Sequence, residues 1–169
     1  FGLQTVRLIV LKNELIRQEL LAHAYFQNQV VDASHLLVIC IQNDITNNDV
    51  DSHFDNVQTI RETPEIVLEP FKNDLKSMMA SKSIEEREVW STKQAYIVLG
   101  NLMTVCAAEH VDACPMEGFN PSAFDDVLKL KALNLKSVLL LPVGYRAEDD
   151  KFAGFKKVRK ELSDAVIEM

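Results

Sequence analysis

Ser83 to Phe119 reads SIEEREVWSTKQAYIVLGNLMTVCAAEHVDACPMEGF, and the reading of this stretch decides the fold. Ser83 and Glu86 stand in S-x-x-E relation, so each side chain can satisfy one open donor of a first helical turn. Glu85, Glu86 and Glu88 sit near the positive end of the dipole of that helix. From Ala95 to Ala108 the apolar positions go nearly all the way round: Ala95, Ile97, Leu99, Leu102, Val105 and Cys106 share no single stripe. Such a pattern predicts a helix buried on every face and running through the middle of the fold. At about 1.5 Å per residue it spans on the order of 40 Å. It should end near Glu109-His110. A short strand-like link then leads to the turn Cys114-Pro115-Met116-Glu117-Gly118-Phe119.

Outward from this helix, the chain alternates short apolar runs with amphipathic stretches. Val6 to Leu11 reads as a strand. Asn13 is a plausible N-cap for a helix reaching Ala24, with Leu15, Ile16, Leu20 and Leu21 as its apolar stripe. Leu36 to Ile41 is continuously apolar, the mark of a central strand buried on both faces. Asp49 to Glu62 and Pro64 to Ser81 read as two helices, with Pro64 in the first turn of the second. Val67, Leu68, Phe71, Leu75, Met78 and Met79 recur at helical spacing and are expected in the core. Pro121 to Leu130 is a further helix, with Phe124, Val127, Leu128 and Leu133 facing inward. Lys136 to Tyr145 is the last strand, and 147–154 is a polar connection.

The 169 residues are expected to form one domain, 1–169, with a real core. Hydrophobic residues make up 47% and charged residues 25%, as in soluble globular proteins. A net charge of −7 argues against non-specific binding to nucleic acid or acidic membranes. The longest apolar run is broken by Gly100, Asn101 and Thr104, so no membrane span is expected. Cys40, Cys106 and Cys114 form no CxxC pair and lie in apolar runs, which reads as reduced core cysteines of a cytoplasmic protein. His23 reads as the end of a surface turn and His35 as a structural residue. No catalytic triad, metal cluster or Walker loop is visible.

Three segments together carry a resemblance: KQAYIVLGNLMTVCAAEHVDACPMEGF (93–119), DASHLLVI (32–39), and LLPVGY (140–145) followed by Lys157-Val158-Arg159. In order and spacing they resemble the nitroreductase family of flavin enzymes. The resemblance implies an α+β fold, a small mostly antiparallel sheet flanked by helices around the long central helix. It implies FMN as cofactor, NAD(P)H as co-substrate, and a homodimer with FMN at the subunit interface. The family's earlier helices, with the Arg/Ser-rich segment that grips the FMN phosphate, have no counterpart here, so the resemblance implies a sequence lacking the N-terminal part of the family domain. Hydride passes from NAD(P)H to the flavin and on to a nitroaromatic, a quinone or a similar small acceptor. Pteridine or flavin reduction within the same superfamily, and non-catalytic flavin binding or storage, stay open.

The resemblance also assigns site residues. Gly2 matches a position that approaches the flavin from the neighbouring subunit, and Thr5 stands where the family has Pro. Tyr25 to Val30 resembles a segment bordering flavin and nicotinamide; Gln27 and Gln29 are kept, whereas Phe26 replaces Asn and Asn28 replaces Pro. Gln29 is either a lining residue or part of a polar helix cap. Glu117 and Gly118 are implied to meet the flavin through main-chain N–H groups near N5, glycine allowing the close approach. Lys157 and Arg159, two apart, point the same way in an extended segment and can share a phosphate; KKVRK by itself is equally a solvated basic run. Gln94 is a weaker candidate, because a polar residue on a helix becoming buried needs a partner. The 43–82 region corresponds to the family's variable lobe over the substrate channel. The family commonly has Gly where His110 stands. A left-handed His110 costs on the order of 1 kcal/mol, so either it is strained or the helix ends differently. The last residues correspond to an arm that reaches across the partner subunit. No acid–base apparatus is needed, since a flavin performs the hydride chemistry itself.

Overall fold

A computed structural model describes residues 2–169. Four strands, β1 (Val6–Leu11), β2 (His35–Gln42), β3 (Asp112–Ala113) and β4 (Leu135–Gly144), form one antiparallel sheet in the order β1-β2-β4-β3. Around it lie α1 (Glu14–Leu21), α2 (Gln29–Asp32), α3 (Asn47–Arg61), α4 (Glu65–Ala80), α5 (Ile84–Ala108) and α6 (Pro121–Val127), with a short α7 (Leu162–Ala165) near the end. The expected α+β class is found.

The continuous apolar run of β2 is explained by burial on both faces. Leu36, Val38 and Cys40 point into a cluster with Leu20, Phe119 and Phe124, under α1 and α6. Ile39 and Ile41 point the other way, into a cluster with Leu139, Leu141, Ala95 and Leu99, under α5. The two-residue period of a strand sorts one run into two cores. A bulge between Ile39 and Cys40 shifts the register against β4. A third cluster, with Val50, Phe54, Leu75 and Met79, holds α3 and α4 together as a separate lobe.

Local signals act as read. Ser83 accepts from the Glu86 amide at 3.2 Å while the Glu86 carboxylate accepts from the Ser83 amide at 2.8 Å. The Asn13 side chain accepts from the Ile16 amide at 3.2 Å. Helix α5 ends at Ala108, and His110 takes φ +56°. The Val111 amide donates to the Cys106 carbonyl at 2.8 Å and the His110 amide to Ala107 at 3.3 Å. This is the paired closure normally built on glycine, so the strained alternative for His110 is the one adopted.

Burial departs from expectation in several places. α5 is not buried on all faces: its buried residues are Ser91, Ala95 and Leu99, while Ile97 is 59% and Val105 58% exposed. The sheet covers one side of the helix and the α3–α4 lobe packs on Trp90 near its start, while among the described residues Ile97 and Val105 stay exposed. On α4, Leu75 and Met79 pack into the cluster with α3, Leu3, Ile45 and Trp90, whereas Val67 and Phe71 lie on the exposed side of the helix. On α1, Leu15 points to solvent and Arg17 takes the inward position beside Leu20. Leu133 is also exposed. Of the cysteines, all free, Cys40 is buried, Cys106 intermediate and Cys114 exposed, so Cys114 is not a core residue. It lies on the short link after β3, where only Pro142 reaches its amide. Burial drives the Cys40 thiol up to about 12, with the Asp125 charge adding to the effect.

Candidate functional site

The turn after β3 is pinned to the sheet by a reciprocal pair: the Met116 amide donates to the Leu140 carbonyl at 2.9 Å and the Leu140 amide to Met116 at 3.0 Å. The chain then folds tightly, the Phe119 amide donating to the Glu117 carbonyl at 2.9 Å. The Gly118 carbonyl accepts from Gln27 Nε2 at 2.7 Å. All three carbonyls from Met116 to Gly118 are thus engaged. Among the described residues the Glu117 and Gly118 amides have no acceptor, and both residues are exposed. The turn offers two successive main-chain donors outward, an arrangement suited to electron-rich ring nitrogen and carbonyl oxygen.

Side chains gather around these donors. Gln29 opens α2, and its Nε2 donates to Gln27 Oε1 at 3.4 Å and lies 3.9 Å from Cys114 Sγ. Gln27 Nε2 also donates to the Ala24 carbonyl at 3.1 Å. The hydroxyl of Tyr96, from α5, donates to the Glu117 carboxylate. That bond, more than burial, holds the Tyr96 hydroxyl above its ordinary value. Before this segment, Tyr25 and Phe26 both adopt left-handed backbone, φ +52° and +57°, with exposed rings.

Gln29 is thus linked to the Glu117–Gly118 turn through Gln27. Gly2 and Gln94 meet in a second place, a cavity of about 560 Å³ between the start of β1 and α5, also walled by Trp90, Ile97 and Val98. Gln94 and Tyr96, two residues apart, project about 200° apart round the helix. Cavity and turn thus flank opposite sides of α5, and among the described residues no hydrogen bond joins them. Thr5 lines the same cavity; its hydroxyl is buried and has no partner among the described residues.

Lys157 and Arg159 lie in a third place, the exposed segment after β4, and neither forms an ion pair among the described residues. Asp112, at the start of β3, is bound by Arg146 Nε at 2.6 Å and Nη2 at 2.9 Å. Arg146 depresses the Asp112 carboxyl against the opposing effect of burial, and the charge of Lys157 adds a smaller lowering.

Sequence reasoning missed Tyr96. Its signal is a lone phenol in an otherwise apolar helical run, but its partner lies beyond the end of the helix. Among the described residues no group of three metal-ligating side chains is found, and no helix is long and apolar enough to cross a membrane.

The nitroreductase family model matches residues 1–145, and the chain belongs to the nitroreductase family. It is similar to "Putative NAD(P)H nitroreductase YfkO" of Bacillus subtilis, 28% identical over 98% of this chain and 78% of that protein. Its fold is that of the nitroreductase family protein from Streptococcus pneumoniae, with a TM-score of 0.79 and 21% identity over 99% of this chain and 80% of that one. It is equally that of a "putative nitroreductase in complex with FMN" from Exiguobacterium sibiricum, with a TM-score of 0.83 and 19% identity over 99% and 78% of the two chains. At those identities the structures speak for the fold alone.

Proposed function

We propose that this chain is a cytoplasmic, FMN-dependent oxidoreductase that passes hydride from NAD(P)H to a small acceptor such as a nitroaromatic or a quinone, and works as a homodimer. The observation that carries the reading is the turn with two free adjacent amides, at Glu117 and Gly118, and no free carbonyl. A flavin presents acceptors at N5 and O4, and these donors fit it. Gly118 also lets Gln27 close on the turn, since a Cβ there would stand 2.9 Å from Gln27 Nε2.

FMN supplies the hydride chemistry when bound. The chain's own residues bind and orient. Glu117 and Gly118 donate through the main chain, and Gln29 borders the ring. Lys157 and Arg159 hold the phosphate as paired cations. Gly2 acts from the other copy, and Gln94 lines the same cavity as Gly2. The family's acceptors need no side-chain nucleophile, in keeping with the donor set found here.

Homodimer formation rests on three features. α5 leaves Ile97 and Val105 uncovered. β1 pairs on one side only. The tail after β4 exposes Val158, Leu162 and Ile167. A second copy supplies apolar surface for the first of these and a strand for the second. It also brings its Gly2 cavity to the Glu117–Gly118 turn, which a single chain leaves on the other side of α5. Quenching of FMN fluorescence tests the site: Lys157→Ala with Arg159→Ala should weaken retention of FMN by at least an order of magnitude, since charge-assisted bonds to phosphate contribute on the order of 1.5–3 kcal/mol each. Unchanged retention would remove the phosphate assignment.

A further inference from the structure

The Glu117–Gly118 turn is held from two sides by side chains of different elements. Gln27, between α1 and α2, binds the Gly118 carbonyl at 2.7 Å. Its head group is itself fixed, donating to Ala24 at 3.1 Å and accepting from Gln29 at 3.4 Å. Tyr96, on the facing side of α5, binds the Glu117 carboxylate. The phenol is a donor at neutral pH, and its bond to the carboxylate raises it further above its ordinary value. A tight turn between two pinned points still has one soft motion, rotation of its central peptides. Those two contacts restrain that motion, one through a carbonyl and one through a side chain. The direction of an N–H matters, since hydrogen bonds weaken steeply away from linearity.

We propose that Tyr96 and Gln27 are positioning residues that aim the Glu117 and Gly118 amides, and so set the reduction potential of the bound flavin. This rests on the proposed function, in which those amides face the flavin. A Cβ at 118 would stand 2.9 Å from Gln27 Nε2, so any larger residue there would displace the side chain that holds the turn. Neither side chain touches the reacting atoms. Their effect passes through the main chain, so it differs from a general contribution to stability.

The test uses the full chain loaded with FMN. The potential is measured by dye equilibration and the bleaching rate under NADPH by stopped flow, for wild type, Tyr96→Phe, Gln27→Met, Glu117→Ala and the double variant Tyr96→Phe/Glu117→Ala. Tyr96→Phe and Gln27→Met should each change the ratio of reduced to oxidised flavin by up to about tenfold, which is about 30 mV for a two-electron couple. The melting temperature should stay at the wild-type value. Glu117→Ala should match Tyr96→Phe, and the double variant should shift no further than either single one, as expected of two groups acting through one bond. Potentials unchanged in Tyr96→Phe and Gln27→Met, or additive shifts in the double variant, would overturn the proposal. Should Tyr96→Phe fail to fold, Gln27→Met and Glu117→Ala decide by the same readout. Wild-type protein that takes up no FMN refutes the proposed function, and the positioning role with it, before any variant is compared.

Discussion

Arg17 is 4% exposed and has no carboxylate in hydrogen-bond contact among the described residues. Its guanidinium donates to the carbonyls of Val30 at 2.7 Å, Val31 at 2.7 Å, Ser34 at 3.3 Å and Ala33. Burial lowers its pKa, with Glu14 and then Asp32 opposing that from a distance. The group stays charged, because an arginine titrates far above neutrality. Four carbonyls at the end of α2 and just beyond it converge where the chain turns into β2, and among the described residues no amide outside the regular elements donates to them. Arg17→Met keeps the apolar stem and removes all four donors. Each carbonyl left buried costs about 1–3 kcal/mol. Rehydration of those near the surface, and release of the guanidinium from its desolvation, offset part of that total. The expected loss after that offset is about 3–5 kcal/mol, well under the full sum for four carbonyls left without a donor. For a chain of this size that is roughly 6–20 °C in melting temperature. Arg17→Lys keeps the charge but not the fork, and should fall between the two. Urea unfolding followed by circular dichroism measures all three. A loss below about 1 kcal/mol for Arg17→Met would refute the reasoning, since it would mean that water replaces the guanidinium at no cost.

Three further outcomes are expected. His110→Gly should raise stability by about 0.5 kcal/mol, the relief of a left-handed non-glycine residue less the extra freedom glycine has when unfolded; a lower denaturant midpoint would contradict this. Val105→Glu puts a charge on the open face of α5 and should yield a folded monomer by sedimentation, whereas an unchanged dimer would show that this face is not the interface. The Asp44 carboxyl is lowered, chiefly by its hydrogen bond from Arg87 at 2.6 Å, with burial opposing. Its folded pKa lies below the unfolded value, so it adds stability above the unfolded value, and that is lost as pH falls through the folded one. Asp44→Asn should therefore lower the urea midpoint at neutral pH and flatten its decline below about pH 4; parallel curves for the two proteins would contradict this.

Local signals were legible because they depend on neighbours in sequence. The Ser83–Glu86 box, the Asn13 cap and the β2 run each lie within a few residues, whereas the choice at His110 is raised by the family resemblance and left open until the structure. Burial was less legible, because it depends on what covers a face. The apolar surround of α5 reads as full burial, yet the sheet reaches only one side. Phe71 shares the helical spacing of Leu75, but α3 faces only one of them. Arg17 was passed over for Leu15 because an apolar rule has no place for a charge that caps carbonyls. Helix α4 continues through Pro70, as the apolar period over 64–81 reads it. Within the site, Glu117 and Gly118 were marked by their motif, and Gln29 by its segment. The bond from Tyr96 to Glu117 spans 21 positions and follows only from the packing of α5 beside the turn.

The central claim is tested most directly by the visible spectrum of the protein equilibrated with FMN and freed of excess, recorded anaerobically before and after NADPH or NADH. Flavin bands that stay with the protein and bleach on adding one of the nicotinamides are the predicted result, and recovery of the bands with a quinone or a nitroaromatic would name the acceptor class. Protein that retains flavin without bleaching contradicts the reductase reading and points to a flavin-holding protein. Protein that retains no flavin contradicts the assignment of the Glu117–Gly118 turn itself.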